Sequence, residues 1–360
     1  MVMHDDASRR WRLHDLMRDV AQVPLEGQDQ AALEAQLEAA RARHAQHYCG
    51  VLEIAGNLYL KGGKGALAAR ALYDLDQRNI ATGQRWSALN AKSDETAVAL
   101  AAAFGRTLGA ALVLRIRLHP RERINWLEAQ RSACIRLGDR QSEGNALGNL
   151  GTAWMDLGET RRAIEFHEQA LKIAREIGDR IGEGSELGSL GTAWGVLGET
   201  RRAIEYLEQG LGIMREIGNR RGEGATLGNL GIAWRDLGEP RRAIEYYEQQ
   251  LEITREISDR EQEGNALGNL GIAAAQLGEL LRSIDFFEQQ LEITREIGDR
   301  RGEGHGYYNS ALALDALGER TEAVRRAQKA LALYEAIGAK HSVAMVRAAL
   351  AAWGAEDGRS

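Results

Sequence analysis

Cysteine is scarce in this chain. Cys49 and Cys134 are the only two in 360 residues. They are too few and too far apart for a disulfide framework or a zinc pattern, and a reducing, cytoplasmic setting is expected. A basic excess is also lacking. The formal net charge is -6 and the pI near 5.9. Neutralising phosphates needs a basic face, so nucleic acid is not an expected partner. No long apolar run is uninterrupted. Ala97–Ile116 comes nearest, but Arg106 lies mid-span beside Gly105 and Gly109. It reads as one buried helix, and no membrane span is expected. Arg9, Arg10, Arg12, His14 and Asp15 interrupt the N-terminus, so no cleavable signal peptide is expected.

Catalytic patterns are missing as well. The chain has no G-x-x-x-x-G-K-[ST] loop to cradle phosphates. Gly62-Gly63-Lys64-Gly65-Ala66 comes nearest but lacks the hydroxyl residue, and it reads as a helix–helix turn. There is no G-x-S-x-G or H-E-x-x-H. His44, His47 and Cys49 sit close on a helix without a fourth metal ligand. His14 and Asp15 are adjacent, and adjacent helical residues do not face each other. No enzymatic activity, metal or cofactor is expected.

What the chain does have is repetition. Residues 141–180 recur, barely altered, at 181–220, 221–260 and 261–300. Gly151, Gly191, Gly231 and Gly271 set the period at 40 residues, and Leu150, Leu190, Leu230 and Leu270 keep the same step. Such a period marks a solenoid, in which each unit buries its apolar face against its neighbours. Leu147, Leu150, Ala153, Trp154 and Leu157 share one helical face. Gly158 ends that helix. A second helix turns Ala163, Ile164, Phe166, Ala170, Leu171, Ile173 and Ile177 inward, and Gly178-Asp179-Arg180 closes the unit. In the third unit the second helix opens on Pro240, whose missing N–H costs nothing in a first turn. Arg161, Arg201 and Arg241, each four residues before Glu165, Glu205 and Glu245, read as a solvated face of weak ion pairs. The composition, 44% hydrophobic and 27% charged, supplies ample core for such an array.

The run NLGTAW, then LGE, AIEF and QAL, resembles the tetratricopeptide signature. The ordinary unit has about 34 residues and ends in Pro; here that Pro is absent and the second helix runs about two turns longer, to AREIGDR. The variant is similar to repeats of polarity adaptors and of bacterial signalling ATPases of the STAND class. Trp11–Ala21, WRLHDLMRDVA, resembles the segment closing the winged-helix domain of STAND proteins, with Val20 where an aromatic is common. Leu13, Leu16, Met17 and Val20 would form its amphipathic stripe, and a capping helix is the plain alternative.

Residues 1–22 are thus expected to be a winged-helix-like end or a cap. Residues 23–100 are a helical N-terminal region, with Val23–Gly27 a linker, Gln28–Tyr59 helical, and further helices from Ala66 to Gln77 and on through Trp86. The solenoid covers 101–340, with degenerate units at 101–140 and 301–340. Pro120, Ile124, Trp126 and Glu128 align with Pro240, Ile244, Tyr246 and Glu248 three repeats on. Residues 341–360 form a capping helix, through Trp353, and a frayed tail.

The repeats also align with one another. First-helix positions that vary are Asn145/Ser185/Ala225/Asn265, Thr152/Thr192/Ile232/Ile272, Met155/Gly195/Arg235/Ala275 and Asp156/Val196/Asp236/Gln276. Their offsets place them on one face, and the resemblance implies that this face lines a concave groove. Gly148, Gly188, Gly228 and Gly268 sit mid-helix, either for close approach of helices or as a groove floor. Beside them stand Asn149, Asn229, Asn269 and Asn309, with Ser189 in the second unit. A ladder of amides can hold the backbone of an extended peptide, or join repeat to repeat. Arg235, His305, Tyr308 and Asp315 could add specificity. Gly148 and Thr152 occupy the positions of the carboxylate clamp found in chaperone-binding relatives, so capture of a C-terminal carboxylate is not expected.

The sequence therefore predicts an all-α, right-handed α-solenoid of about six helical hairpins, monomeric in isolation. Its expected role is binding a protein or peptide in the groove. The resemblance implies the ligand sensor of a STAND-type protein, working with an NTPase or effector module of the same system. The alternative is a free-standing adaptor joining two partners.

Overall fold

The computed structural model describes residues 2–5, 10–13 and 30–357. The chain divides into two compact units, residues 1–146 and 147–360.

In the first unit, β1 (Val2–Asp5) and β2 (Arg10–Leu13) pair antiparallel, with His4 opposite Trp11 and Val2 opposite Leu13. Trp11, Arg12 and Leu13 are thus in a strand, where a helix was expected to begin. Arg10-Trp11-Arg12-Leu13 alternates polar and apolar, the two-residue period of a strand. Leu16, Met17, Val20 and the linker at 23–27 lie outside the described residues. Helix α1 (Gln30–Tyr59) packs on α2 (Gly63–Asn90), and Trp86 donates its indole N–H to Glu38 at 2.8 Å. α2 is one continuous helix, where the sequence suggested a break before Trp86; buried Tyr73, Ile80 and Gly83 keep one face inward throughout.

The apolar stretch 97–116 is also corrected. It is two helices, α3 (Glu95–Ala103) and α4 (Leu108–Arg117), bent by 75°. Gly105 takes φ +78° at the break, and Thr107 caps α4 by accepting from Ala110 N–H at 3.3 Å. Among the described residues no single helix is long and apolar enough to cross a membrane; this bent pair reaches that length and composition only jointly. α4 packs on α1, where Gly56 and Gly109 bring the two backbones into contact. A Cβ at either would sit inside the other helix. Helix α5 (Pro120–Leu137) packs on α3. The 101–140 segment thus keeps a second repeat helix but has its first helix split in two.

The second unit is built from hairpins and begins at residue 147, within its first helix. After α6 (Arg140–Asp156) and α7 (Thr160–Ile177) come α8 (Arg180–Val196) with α9 (Thr200–Glu216), and α10 (Arg220–Asp236) with α11 (Pro240–Glu256). α12 (Arg260–Gln276) with α13 (Leu280–Ile297) and α14 (Arg300–Ala316) with α15 (Arg320–Ala336) follow. α16 (Lys340–Asp357) closes the stack, continuing through Gly354 where a frayed tail was expected; its Trp353 is buried against Tyr334 and its neighbours. The architecture is an all-α solenoid, joined at its start by one short β-ribbon.

The repeat boundary does two jobs in three residues. Gly178 takes φ +71°, and Asp179 N–H closes on Ala174 O at 2.9 Å, ending α7. The Asp179 carboxylate then accepts from Gly182 N–H at 2.9 Å, starting α8. Asn219, Asp259 and Asp299 cap the later first helices in the same manner.

Between the layers, Leu187, Leu190, Leu227, Leu230, Leu267 and Leu270 are at most 1% exposed. Each contributes about 1.5–3 kcal/mol by burial. Two inward assignments shift. Ile177 is 39% exposed and Phe166 half-buried, while His167 is fully enclosed beneath Gly151. Its Nδ1 meets Glu186 Oε2 at 2.7 Å, which makes a polar group tolerable there. Leu197 and Leu237, equivalents of Leu157, are exposed at the helix ends.

Candidate functional site

A cleft of about 350 Å³ opens on the first helices of the second unit. Ala225, Gly228, Asn229 and Ile232 of α10, Gln262, Asn265, Gly268, Asn269 and Ile272 of α12, and His305 and Asn309 of α14 line it. Gln250 of α11 and Gln290 of α13 complete the lining from the second-helix layer.

The glycines explain how second-helix residues reach this surface. A Cβ on Gly228 would lie 2.7 Å from Gln250 Nε2, and one on Gly268 would lie 2.7 Å from Gln290 Nε2. Each glycine is a window in the first-helix layer, filled by a glutamine amide from below. The windows differ along the array. Gly148 is filled by the Glu186 carboxylate, while Gly188 meets nothing, because Gly210 stands behind it. Gly228 and Gly268 line the cleft, and what approaches each of them is a side chain of the adjoining second helix.

Gln250 is 3% exposed and Gln290 6%, and the Oε1 atom of each is buried without a hydrogen-bond partner. Buried carboxamides are ordinarily satisfied. Among the amides above them, Asn229 donates to Thr192 Oγ1 at 3.5 Å, a long contact between repeats. The cleft holds no Lys, Arg, Asp or Glu. Partial burial, with the Tyr334 ring 5.9 Å away, holds the His305 imidazole below its usual pKa, so it is neutral near pH 7.

Of the residues singled out in the sequence, the cleft gathers Asn229, Asn265, Asn269, His305 and Asn309, with the aligned positions Ala225, Ile232 and Ile272 and the glycines Gly228 and Gly268. The others lie elsewhere. Asn145 belongs to the first unit and is exposed. Asn149 is half-buried, and Thr152 donates to Gly148 O at 3.2 Å. Met155 packs against the core around Leu187 and Leu190, and Asp156 is exposed. Ser185, Ser189 and Thr192 turn their hydroxyls onto carbonyls of their own helix, at 2.9, 3.1 and 3.0 Å. Arg235 pairs with Asp236 at 3.1 Å, and Gln276 is exposed. Tyr308 is a core residue, 8% exposed, whose phenol is pushed up in pKa by burial. Asp315 pairs with Arg320 at 2.5 Å.

Sequence reasoning missed Gln250, Gln290 and Gln262. The signal was faint: positions 170, 210, 250, 290 and 330 read Ala, Gly, Gln, Gln and Ala. In the first unit, His44 and His47 pack their rings on Tyr48, at 4.6 and 4.8 Å between centroids.

Comparison with known proteins gives the matched repeats their family. Three tetratricopeptide-repeat models match the sequence, over residues 144–177, 226–261 and 262–336. These are tetratricopeptide repeats. No curated protein sequence matches the chain. Among solved structures, BtubC (BKLC) from P. vanneervenii is 19% identical with a TM-score of 0.56, covering 61% of this chain and 93% of that one. A signal-transduction ATPase with numerous domains (STAND) from Pyrococcus horikoshii, which carries a tetratricopeptide-repeat sensor, is 17% identical with a TM-score of 0.56. That match covers 95% of this chain but 53% of the ATPase. A Rap protein complexed with competence and sporulation factor is 11% identical with a TM-score of 0.53, covering 89% of this chain and 98% of that one. At these identities the likeness is one of fold. The tetratricopeptide fold is a protein-binding one, and this chain is a module of that kind.

Proposed function

We propose that this tetratricopeptide module holds an extended polypeptide segment in the cleft at 225–309, and that it has no catalytic activity of its own. The row of carboxamides at Asn229, Asn269 and Asn309 carries the reading. It recurs at one-repeat intervals, lines a continuous cleft, and can donate to and accept from a peptide backbone. The Rap structure supports it as a tetratricopeptide-like fold with a bound factor.

The finer reading is the ligand-sensing segment of a STAND-type signalling protein. Two observations support it: the resemblance of Trp11–Ala21, and a fold likeness to the P. horikoshii sensor protein across nearly the whole chain. Its partner in that case is an NTPase module of the same system. A P-loop encoded in frame upstream of Met1 would support it, and an in-frame stop would sink it.

The groove itself is tested by affinity capture with mass-spectrometric mapping of cross-links. Wild type is compared with an Asn229→Ala, Asn269→Ala, Asn309→Ala variant of matched helicity. A ligand cross-linked at the cleft and lost in the variant is the expected result. A ligand held equally by both places recognition on another face.

A further inference from the structure

The amide ladder accounts for the cleft's rim but not for its floor. Gln250 and Gln290 each put a carboxamide through a glycine window, almost fully enclosed, with Oε1 unsatisfied. Within the second unit nothing in the fold requires a polar group there, because Ala170, Gly210 and Ala330 occupy the equivalent positions, whereas Gln130, their counterpart in the first unit, donates to Ala102 O at 3.3 Å. An unsatisfied buried acceptor is costly, and a donor arriving in the cleft removes that cost once the carboxamide rotates to turn Oε1, now closed to solvent, toward it. The donor has to be uncharged or cheap to desolvate, since no lining residue offers an opposite charge.

Spacing narrows the ligand further. The first helices of consecutive repeats touch one another along α8, α10, α12 and α14. Packed helices lie about 8–10 Å apart, so the rungs at 229, 269 and 309 are about that far apart. A polyproline-II chain rises about 3.1 Å per residue with three residues per turn, about 9.3 Å, and makes no internal backbone hydrogen bonds. Each rung would then meet an equivalent backbone group. A β-strand, with its two-residue period, would present opposite faces at successive rungs.

We propose that Gln250 and Gln290 are specificity-determining residues of the cleft, and that it selects an uncharged segment of polyproline-II type, read through its main chain every third residue. This rests on the cleft being the binding site and adds the chemistry of what it takes.

The test is selection from a phage-displayed library of random peptides of roughly twelve residues, long enough to span three rungs at about 3.1 Å per residue. Wild type is expected to enrich peptides with an uncharged core, binding with little dependence on salt. A Gln250→Met, Gln290→Met variant, close in shape but without the amides, is expected to bind those peptides about tenfold more weakly or worse. A Gln250→Glu, Gln290→Glu variant is expected to enrich Lys- or Arg-containing cores instead. Peptides that lose binding in the Asn229, Asn269, Asn309 triple variant but keep it in the Met variant would overturn this proposal and leave the groove intact. Wild-type selection of charged cores would overturn it as well. Peptides indifferent to every variant, or no binders at all, would overturn both readings.

Discussion

Arg215 reaches across a repeat boundary and donates its Nε–H to Glu223 Oε1 at 2.8 Å. Arg220, three residues before Glu223, takes the other carboxylate oxygen at 2.6 Å and also pairs with Glu256. Arg175, Arg180 and Glu183 form the same clamp one repeat earlier, and Arg255, Arg260 and Glu263 one repeat later. All these arginines come from the stretch that lengthens the repeat to 40 residues. The extra turns of the second helix thus supply the fastening between neighbours.

Truncating the clamp should therefore loosen a repeat junction. The Glu223 side chain is 8% exposed, while Arg215 and Arg220 stay in contact with water, which screens the pair. Removal should cost less than the 3–5 kcal/mol of a fully buried pair. Glu223→Ala is expected to destabilise by about 2 kcal/mol, read as a drop in urea midpoint. A change within 0.5 kcal/mol or so, the usual size for a surface substitution, would show the clamp to be ornamental.

Ser258 stands where Gly178, Gly218 and Gly298 end the equivalent helices, and it carries φ +56°. The left-handed region costs an L-residue about 1–2 kcal/mol, while glycine gives back about 0.4–1 kcal/mol through the unfolded chain. Ser258→Gly is expected to stabilise by roughly 0.5–1 kcal/mol. A lower thermal midpoint in the variant would contradict this.

Some features of the fold were legible in the aligned repeats; others were not. Helix ends were legible because Gly178-Asp179-Arg180 carries its own chemistry, a left-handed stop and a side-chain cap. The core was legible because Leu187 with Leu190, Leu227 with Leu230 and Leu267 with Leu270 keep a helical spacing that recurs every 40 residues. The Arg215–Glu223 clamp spans eight residues across a turn, a separation with no fixed geometry in sequence. The familiar four-residue spacing suggested Arg161 with Glu165 instead; the ion pairs formed among the described residues fall elsewhere. Gln250 escaped notice because recognising it requires knowing which second-helix side chain lies under which first-helix glycine. Enclosed His167 escaped because its partner, Glu186, belongs to the next repeat.

Acid should weaken the second unit in two windows. His305 is held below its usual pKa, first by desolvation, so the folded state resists protonation. Its contribution is present above the ordinary value of 6.5 and is lost as pH falls through the folded value. Glu322 is held at about 2 by hydrogen bonds, first from Arg325 and then from Arg326. For Glu183, burial raises the carboxyl, but Arg175 and Arg180 outweigh it and the net shift is downward. Both carboxylates contribute stability above the ordinary value of 4.5 that is lost as pH falls toward their folded values. Urea midpoints measured from neutral pH to about pH 2.5 should fall in two stages. His305→Asn is expected to flatten the first stage and Glu322→Gln the second. Identical pH profiles in the two variants and wild type would remove these groups from the account.

Gln250 and Gln290 set stability against binding. If they serve the fold, replacing them should cost, as for other buried polar groups that hold a network together. If they serve a ligand, the empty protein carries two unsatisfied acceptors, and an apolar side chain of similar shape relieves it of them. The neighbouring repeats decide between these. Ala170 and Ala330 show that the position packs without a polar group, and no partner inside the protein takes either Oε1 atom. Gln250→Met and Gln290→Met together are expected to raise unfolding free energy by roughly 0.5–2 kcal/mol. The gain should be measured by urea denaturation of the peptide-free chain. A loss of more than about 1 kcal/mol, of the size that overpacking or a broken network produces, would return the two glutamines to a structural role.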